Sequence, residues 1–521
     1  MADPAKELKV HVGGKKEKLD PAGIFAERES KELVIGFAGP VGCGLNEVIN
    51  TTQQIVQEFG YKVVPIKVSD FIRKLTSVAI DAENNAERYI KLQEEGTKLR
   101  EKYGNNILAK CVSTKIATTR KISQVQEESE RPEKIPEKVA YLVDQLKHPD
   151  EVEFLRLVYR NLFYLVGVLS CEERRKKRLV DETIDEGEAV KIMNTDKDEG
   201  IKHGQQLEET LQLADLFLRN SFQNKLNIEN QIKRFLELLH GKIGITPTQH
   251  ESSMYIAHSA AQRSACLSRQ VGATITDEAG HIIATGCNDV PKHGGGLYTE
   301  SNKENDHRCL FKGGKCFNDH HKDLLQNEIK SILTKIEVNG SNIINSEQAQ
   351  ELAEKIRNTT KLKDLIEYSR SVHAEMDAIT SAARKGSKST KDGYLYSTTF
   401  PCHSCARHIL AAGIKRVYYI EPYEKSLAYT LHDDAIVIDP DNEDSETSRV
   451  SFLHFEGISP RRFQAFFHTG LPRKENGQAL PFYKTTAKKV SPQYIDSYLD
   501  FEKKVIEDVD TLGLKASLTE E

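Results

Sequence analysis

The sequence predicts an α/β protein with two consecutive folded domains, and three observations lead to this expectation. The chain has 521 residues, which is too long for one ordinary hydrophobic core. Its composition is globular, with 38% hydrophobic and 29% charged residues. Short apolar runs alternate with segments of helical periodicity, and this alternation restarts near Thr246. We expect an N-terminal segment 1–30, a first domain 31–245, a second domain 246–470 and a C-terminal tail 471–521.

The first domain begins with a pattern that predicts a strand, a glycine-rich turn, a helix and a second strand. Residues 33–37 are an apolar run, and residues 39–44 read Gly-Pro-Val-Gly-Cys-Gly. Apolar positions from 45 to 59 keep helical spacing, and residues 61–68 resemble a further strand. Apolar runs at 139–143 and 163–168 predict more buried strands, and 205–239 predicts two closing helices. The first domain should therefore contain a parallel sheet.

The glycine-rich turn resembles a phosphate-binding P-loop, whose pattern is G-x-x-x-x-G-K-[ST]. Gly39, Gly42 and Gly44 fit it, but Leu45 and Asn46 replace the lysine and the hydroxyl residue. Backbone amides of such a loop still attract phosphate, whereas the missing charge and Mg²⁺ ligand impair catalysis. We predict that Gly39, Gly42, Gly44 and Asn46 bind a regulatory nucleotide and that this domain transfers no phosphate.

Two charged features of the first domain have two interpretations each. Asp144 follows an apolar strand, as the metal-binding acid of P-loop proteins does, and residues 174–178 read RRKKR, which suits a lid over phosphates. Either feature could instead be a solvated surface charge.

The second domain begins with a predicted helix from about residue 251, followed by strands at 271–276 and 281–285. A polar stretch rich in Gly, Asn and Lys, residues 292–361, interrupts the pattern and predicts an insertion. A helix opens near Ser371, a strand covers 394–398, and the tail contains one terminal helix.

Composition also bears on location and partners. Residues 1–20 lack the apolar core of a secretory signal, and no apolar run of about 18 residues predicts a membrane span. Nine scattered cysteines fit a reducing compartment, so we expect a cytoplasmic protein. The net charge is −5, whereas proteins that act on long nucleic acids usually carry a basic excess. A small-molecule substrate is favoured.

Two motifs in the second domain together predict a zinc site. His373-Ala-Glu375 is followed 26 residues after Glu375 by Pro401-Cys402-His-Ser-Cys405. One imidazole and two thiolates hold Zn²⁺ tetrahedrally and leave a fourth position for water, whose pKa falls to about 7. Glu375 lies one peptide from the helix start and is predicted to carry protons rather than to bind the metal. Pro401 ends a strand and places both cysteines in the first turn of a helix, whose positive end favours thiolates.

These motifs resemble those of the cytidine and deoxycytidylate deaminase superfamily over residues 250–470. The resemblance implies a three-layer α/β/α domain and hydrolytic deamination of cytosine. The stretches 268–277 and 284–291 resemble the deoxycytidylate branch, which implies that Asn288 contacts the nucleotide sugar; alternatively, Asn288 only forms a turn. Cys287 and Asp289 depart from the Tyr and Gly that are usual in this branch.

With the P-loop-like domain in front, the whole sequence resembles the anti-phage deoxycytidine triphosphate deaminases of bacteria. This implies a homo-oligomer that acts on free dCTP, dCMP or both in antiviral defence, under control of a regulatory nucleotide or inhibitor. Two alternatives remain: a deaminase that edits cytosine or adenine in polynucleotides, and a nucleotide-sensing switch. The absence of Trp and the 7% aromatic content disfavour the first, and an intact Glu375 disfavours the second.

The insertion contains a second group of metal-ligating residue types. Cys309, Cys316 and His320 have loop spacing that suits a structural zinc. The same residues could instead contact a regulatory nucleotide.

Overall fold

The computed structural model describes residues 25, 27–76, 85–123, 138–197, 203–220, 225–338, 341–386, 388–423, 426–440, 448–468 and 470–519. Nearly all of the expected N-terminal segment 1–30 lies outside these residues. The chain divides into two compact units: unit 1 comprises residues 1–247 and 456–521, and unit 2 comprises residues 248–455. Among the described residues, no helix is both long and apolar enough to cross a membrane.

Unit 1 is built on a sheet in which five strands run parallel. The strands are Leu33–Ala38 (β1), Lys62–Lys67 (β2), Val139–Asp144 (β3), Phe163–Leu169 (β4) and Leu216–Arg219 (β5). They are ordered β5-β4-β1-β3-β2. The helices are Leu45–Glu58 (α1), Val68–Leu75 (α2), Asn85–Tyr103 (α3), Ile107–Ser123 (α4), Pro149–Tyr159 (α5), Glu172–Asp181 (α6), Glu186–Lys197 (α7), Leu207–Gln212 (α8) and Lys225–Leu239 (α9).

The C-terminal segment belongs to unit 1, which differs from the expected second domain 246–470 and separate tail 471–521. Gly457–Ile458 pairs antiparallel with β5 and becomes the sixth strand of the sheet. Helix Pro460–Phe467 contributes Phe466 to the main core of unit 1. Helix Asp496–Thr511 supplies Glu502, whose carboxylate is buried against the guanidinium of Arg120 on α4. A short hairpin, Lys474–Glu475 with Gln478–Ala479, and helix Lys515–Thr519 complete the segment.

The two helices predicted for 205–239 are only partly present. The structure has α8 and α9 there, but the four-residue strand β5 lies between them. Leu216 and Leu218 of β5 are buried in the main core, because β5 pairs with β4 inside the sheet.

Unit 2 also contains a six-stranded mixed sheet. Its strands are Gly272–Thr276 (β6), Ile282–Cys287 (β7), Tyr394–Thr399 (β10), Arg416–Glu421 (β11), Ile436–Ile438 (β12) and Val450–His454 (β13), and a separate hairpin joins Glu337–Val338 (β8) to Ser341–Asn342 (β9). The sheet order is β12-β13-β11-β10-β6-β7, with β10 to β13 parallel and β6 antiparallel to both neighbours. The helices are Gln249–Ala261 (α10), Phe317–Leu333 (α11), Ser346–Thr359 (α12), Ala374–Lys385 (α13), His403–Ala411 (α14) and Ala428–Leu431 (α15).

Helices cover both faces of this sheet near β6 and β7. A Cβ on Gly272 would lie 1.9 Å from the Ala257 oxygen of α10, and one on Gly286 would lie 2.2 Å from the Ala374 oxygen of α13. Gly286 is opposite Ala273, the neighbour of Gly272, so the two glycines point to opposite faces. The three-layer arrangement expected from the sequence is therefore present here, and the predicted insertion contains two helices, α11 and α12.

Candidate active site

The ends of two helices bring the predicted zinc ligands together. His373 is the N-cap residue of α13, and Cys402 is the N-cap residue of α14. Cys405 lies in the first turn of α14, and its backbone N–H donates to the Cys402 sulfur at 3.4 Å. Pro401 separates strand β10 from α14, as the sequence predicted. The positive end of α14 thus lies at both sulfurs, where it favours the thiolate form.

The three ligand atoms form a compact group. The Nδ1 atom of His373 lies 3.2 Å from the Cys402 sulfur and 3.4 Å from the Cys405 sulfur. All three atoms lie within 4.8 Å of one another, and no other such group of three His, Cys, Asp or Glu residues exists among the described residues. Both cysteines are buried and form no disulfide. One imidazole and two thiols, close together and shielded from water, suit a tetrahedral zinc ion.

Glu375 lies beside this group. Its side chain is buried, and its Oε2 atom lies 3.5 Å from the Cys405 sulfur. Burial raises the pKa of the Glu375 carboxyl above its usual value. The side chain therefore lies next to the metal ligands in an environment that favours holding a proton.

In the metal-free site, contacts among the three ligand side chains shift their pKa values in opposite directions. The hydrogen bond from Cys405, together with that from His373, lowers the pKa of Cys402 to about 4. The hydrogen bond between His373 and Cys402 raises the pKa of His373 to about 9. The hydrogen bond with Cys402, together with burial, raises the pKa of Cys405. Without metal, these shifts favour a thiolate at Cys402 beside a protonated His373, with Cys405 as a thiol.

Close packing fixes helix α13 against strand β7. Gly286 allows the helix backbone to approach, since a Cβ there would lie 2.2 Å from the Ala374 oxygen and 2.4 Å from the Ala378 nitrogen. The carboxylate of Asp377 on α13 accepts the backbone N–H of Cys287 at 3.2 Å. Neither residue was predicted from the sequence to belong to the site, although Gly286 lies within the stretch 284–291 and Asp377 lies two residues after Glu375.

A cleft of about 320 Å³ opens over the metal ligands. His373, Glu375 and Cys402 line one part of it, and two walls come from elements that the sequence analysis did not assign to the site. One wall belongs to the insertion and the segment after it, and the other comes from the segment before β6 and from the ends of β10 and β11. The wall residues with charged or aromatic side chains are Arg269, Asp319, Lys322, Lys363, Asp364, Phe400 and Tyr423.

Asn288 lines the cleft, and its side chain is already engaged in two hydrogen bonds. Its Oδ1 atom accepts the backbone N–H of Val271 at 2.7 Å, and its Nδ2 atom donates to the Arg269 oxygen at 2.8 Å. These bonds hold the segment that carries Arg269 against the cleft. A sugar contact would use the second N–H of the amide, and this role stays a prediction.

Cys309, Cys316 and His320 are not assembled into a metal-binding group in the described part of the chain. Cys309 is buried, Cys316 is the N-cap residue of α11, and His320 lies one turn farther along that helix. A second zinc at these residues therefore stays a prediction.

The glycine loop in unit 1 lies between β1 and α1, where the sequence placed it. Leu45, at the lysine position of the P-loop pattern, is buried in the main core, and Asn46 is exposed. Gly42 and Gly44 have φ values of 79° and 77°. Asp144 ends β3, and burial raises its pKa.

Comparison with known proteins agrees with this geometry. Residues 247–421 match the model of the cytidine and deoxycytidylate deaminase zinc-binding region. The chain is 32% identical over 175 residues to the deoxycytidylate deaminase of Enterobacteria phage T2, and the match covers 33% of this chain and 80% of the phage protein. The chain therefore belongs to the cytidine and deoxycytidylate deaminase family, a family of zinc-binding hydrolases.

Two further relatives were found. The deoxycytidylate deaminase of Enterobacteria phage T4 is 31% identical over 175 residues, covering 33% of this chain and 78% of that protein. Among solved structures, the apo dCMP deaminase of the cyanophage S-TIM5 is 18% identical and covers 40% of this chain and 99% of that chain, with a TM-score of 0.21.

Proposed function

We propose that this protein is a zinc-dependent hydrolase that converts a free deoxycytidine nucleotide, dCMP or dCTP or both, into the deoxyuridine nucleotide and ammonia. The observation that carries the proposal is the buried Glu375 carboxyl beside three ligand atoms that lie within 4.8 Å of one another. The names of the phage relatives, which are deoxycytidylate deaminases, support the substrate class.

In the proposed deamination, the metal ligands and Glu375 have different roles. Zinc held by His373, Cys402 and Cys405 would lower the pKa of water to about 7 and so supply a nucleophile at neutral pH. Glu375 would take the proton that the water loses and pass it to N3 of the cytosine ring. The same carboxylate would then take the proton of the hydroxyl group on C4 and pass it to the amino group, which leaves as ammonia while C4 becomes a carbonyl. The raised pKa of Glu375 suits a group that must both accept and return a proton.

The cleft supports a free nucleotide rather than a polynucleotide strand. Its volume of about 320 Å³ lies at the lower end of the range that small-molecule sites occupy. Phe400 and Tyr423 offer apolar surface for a base, and Arg269 and Lys322 offer cations for phosphate. The chain as a whole carries a net charge of −5, which disfavours binding along a nucleic acid backbone.

We further propose that unit 1 controls the deaminase, does not itself transfer phosphate, and serves to limit dCTP consumption to phage infection. The support is the glycine loop between β1 and α1, with Leu45 and Asn46 in place of the catalytic Lys and hydroxyl residue. An enzyme that depletes a nucleotide pool would harm its own cell if it ran unchecked.

A substrate panel tests the proposed activity. Purified protein is incubated with dCMP, dCTP, CMP, CTP, a cytosine-containing DNA oligonucleotide and the matching RNA, and products are separated by chromatography. We expect uracil nucleotide and ammonia from dCMP, dCTP or both. Conversion of the oligonucleotides with no conversion of either free deoxynucleotide would replace the proposal with polynucleotide editing.

A further inference from the structure

The glycine loop of unit 1 is occupied by side chains of the same unit. The carboxylate of Asp196, on α7, accepts the backbone N–H of Val41 at 2.7 Å. Asp196 is fully buried, and its other carboxylate oxygen pairs with the Lys147 ammonium at 2.6 Å. The Lys147 ammonium also donates to the Gly39 oxygen at 2.9 Å. A buried anion thus lies against a loop amide and a lysine, the two kinds of group that bind phosphate at such loops.

Helix α6 holds the other side of the loop. The Nε atom of Arg175 donates to the Val41 oxygen at 3.0 Å, and Arg178 donates to the Gly42 oxygen at 3.2 Å. The two glycines accommodate this helix: a Cβ on Gly42 would lie 2.6 Å from the Arg175 oxygen, and one on Gly44 would lie 2.7 Å from the Arg178 guanidinium. Two members of the basic run 174–178, Arg175 and Arg178, therefore contact the loop rather than only solvent.

The helices that hold the loop have a hydrophobic core of their own. Val41 packs with residues of α3, α6 and α7 and of the turn between α6 and α7, in a cluster separate from the main core of unit 1; its members are Val41, Ala86, Leu179, Ile184, Ala189, Ile192 and Met193. Val41 is thus held by its side chain, its N–H and its oxygen at once. Elements with a separate small core can move away from the sheet while the main core stays intact.

We propose that α6 and α7 form a closed lid over the glycine loop, with the Asp196 carboxylate in the place of a ligand phosphate and Lys147 as the lysine that position 45 lacks. A polyphosphate group would bind the loop amides and Lys147 only after α7 withdraws Asp196. The closed state is therefore autoinhibited toward polyphosphate binding. This inference specifies the control proposed for unit 1, and it concerns binding rather than deamination.

The test measures binding of tripolyphosphate and of ATP by calorimetry to the full chain. Asp196→Asn keeps an oxygen that can accept the Val41 N–H but removes the competing charge, so both probes should bind about tenfold tighter or more than to wild type. Glu188→Gln is the matched control, because Glu188 is an exposed carboxylate on the same helix. Adding Lys147→Met to Asp196→Asn should abolish the gain. Unchanged affinity in folded Asp196→Asn would overturn the proposal.

A second variant covers the case in which Asp196→Asn does not fold, since it leaves the Lys147 charge buried without its partner. Arg175→Gln removes the bond to the Val41 oxygen and leaves the Lys147–Asp196 pair intact. It should strengthen tripolyphosphate binding by about threefold or more over Glu188→Gln. If it does not, the lid proposal is wrong. Rates of dCMP and dCTP deamination by wild type are measured separately, so failure of the lid and failure of the deaminase proposal are distinguishable.

Discussion

Replacing Gly286 by alanine should disable the active site without touching any ligand residue. The new Cβ would lie 2.2 Å from the Ala374 oxygen, whereas ordinary contact begins near 3.4 Å. Helix α13 must therefore recede by about 1.2 Å at the end that carries His373 and Glu375. A displacement of this order at reacting groups costs about 10²-fold in rate, and the overpacking costs about 1–3 kcal/mol of stability.

The assay compares dCMP and dCTP deamination, zinc content and melting temperature of Gly286→Ala with those of Gly386→Ala. Gly386 ends the same helix with φ at 58°, and a Cβ there has no neighbour within 4 Å. The control should lose about 1–2 kcal/mol of stability from backbone strain while keeping its activity. Activity of Gly286→Ala within about threefold of wild type would refute the claim that this contact positions α13.

The remaining predictions concern Glu375 and the metal ligands. Glu375→Ala should retain zinc while deamination falls by about 10²- to 10⁴-fold, and Cys402→Ala should lose both zinc and activity. Zinc binding to the metal-free protein near pH 7.5 should release about two protons, one from His373 and one from Cys405, because contacts with Cys402 raise both pKa values. Cys402 releases none, because its pKa is lowered to about 4. Protons compete with zinc for His373 and Cys405, so zinc affinity should fall as pH falls from about 8 to 6.

Metal analysis and rate measurements check the two variants, and loss of zinc from Glu375→Ala would contradict its assignment as a proton carrier. Calorimetry in buffers of different ionisation enthalpy counts the released protons. Release of no protons would mean that the imidazolium and thiol of the metal-free site are misassigned.

The grouping of His373, Cys402 and Cys405 was predictable because its geometry is local. His373 and Glu375 lie at the start of one helix, and Cys402 and Cys405 lie at the start of another, so motif spacing and helix-end position suffice to predict that these side chains come together. The strand, glycine loop and helix at residues 33–59 were predictable for the same reason.

Features that depend on long-range pairing were not predictable. Strand β5 has only four residues, and its neighbours have helical periodicity, so the stretch read as two helices. Gly457–Ile458 joins the sheet of unit 1 across more than 200 intervening residues, a pairing that no local pattern specifies. The contacts of Asp196 and Lys147 with the glycine loop likewise join distant segments.

Zinc reconstitution tests the central claim most directly. Protein stripped with a chelator is titrated with Zn²⁺ while deamination of dCMP and dCTP is followed, with Cys402→Ala in parallel. We predict that stripped wild type is inactive and that its activity returns in proportion to the zinc that it binds. Cys402→Ala should bind less zinc by the equivalent of this site and should stay inactive. Full activity without zinc, or a zinc-filled site that deaminates neither nucleotide, would contradict the account.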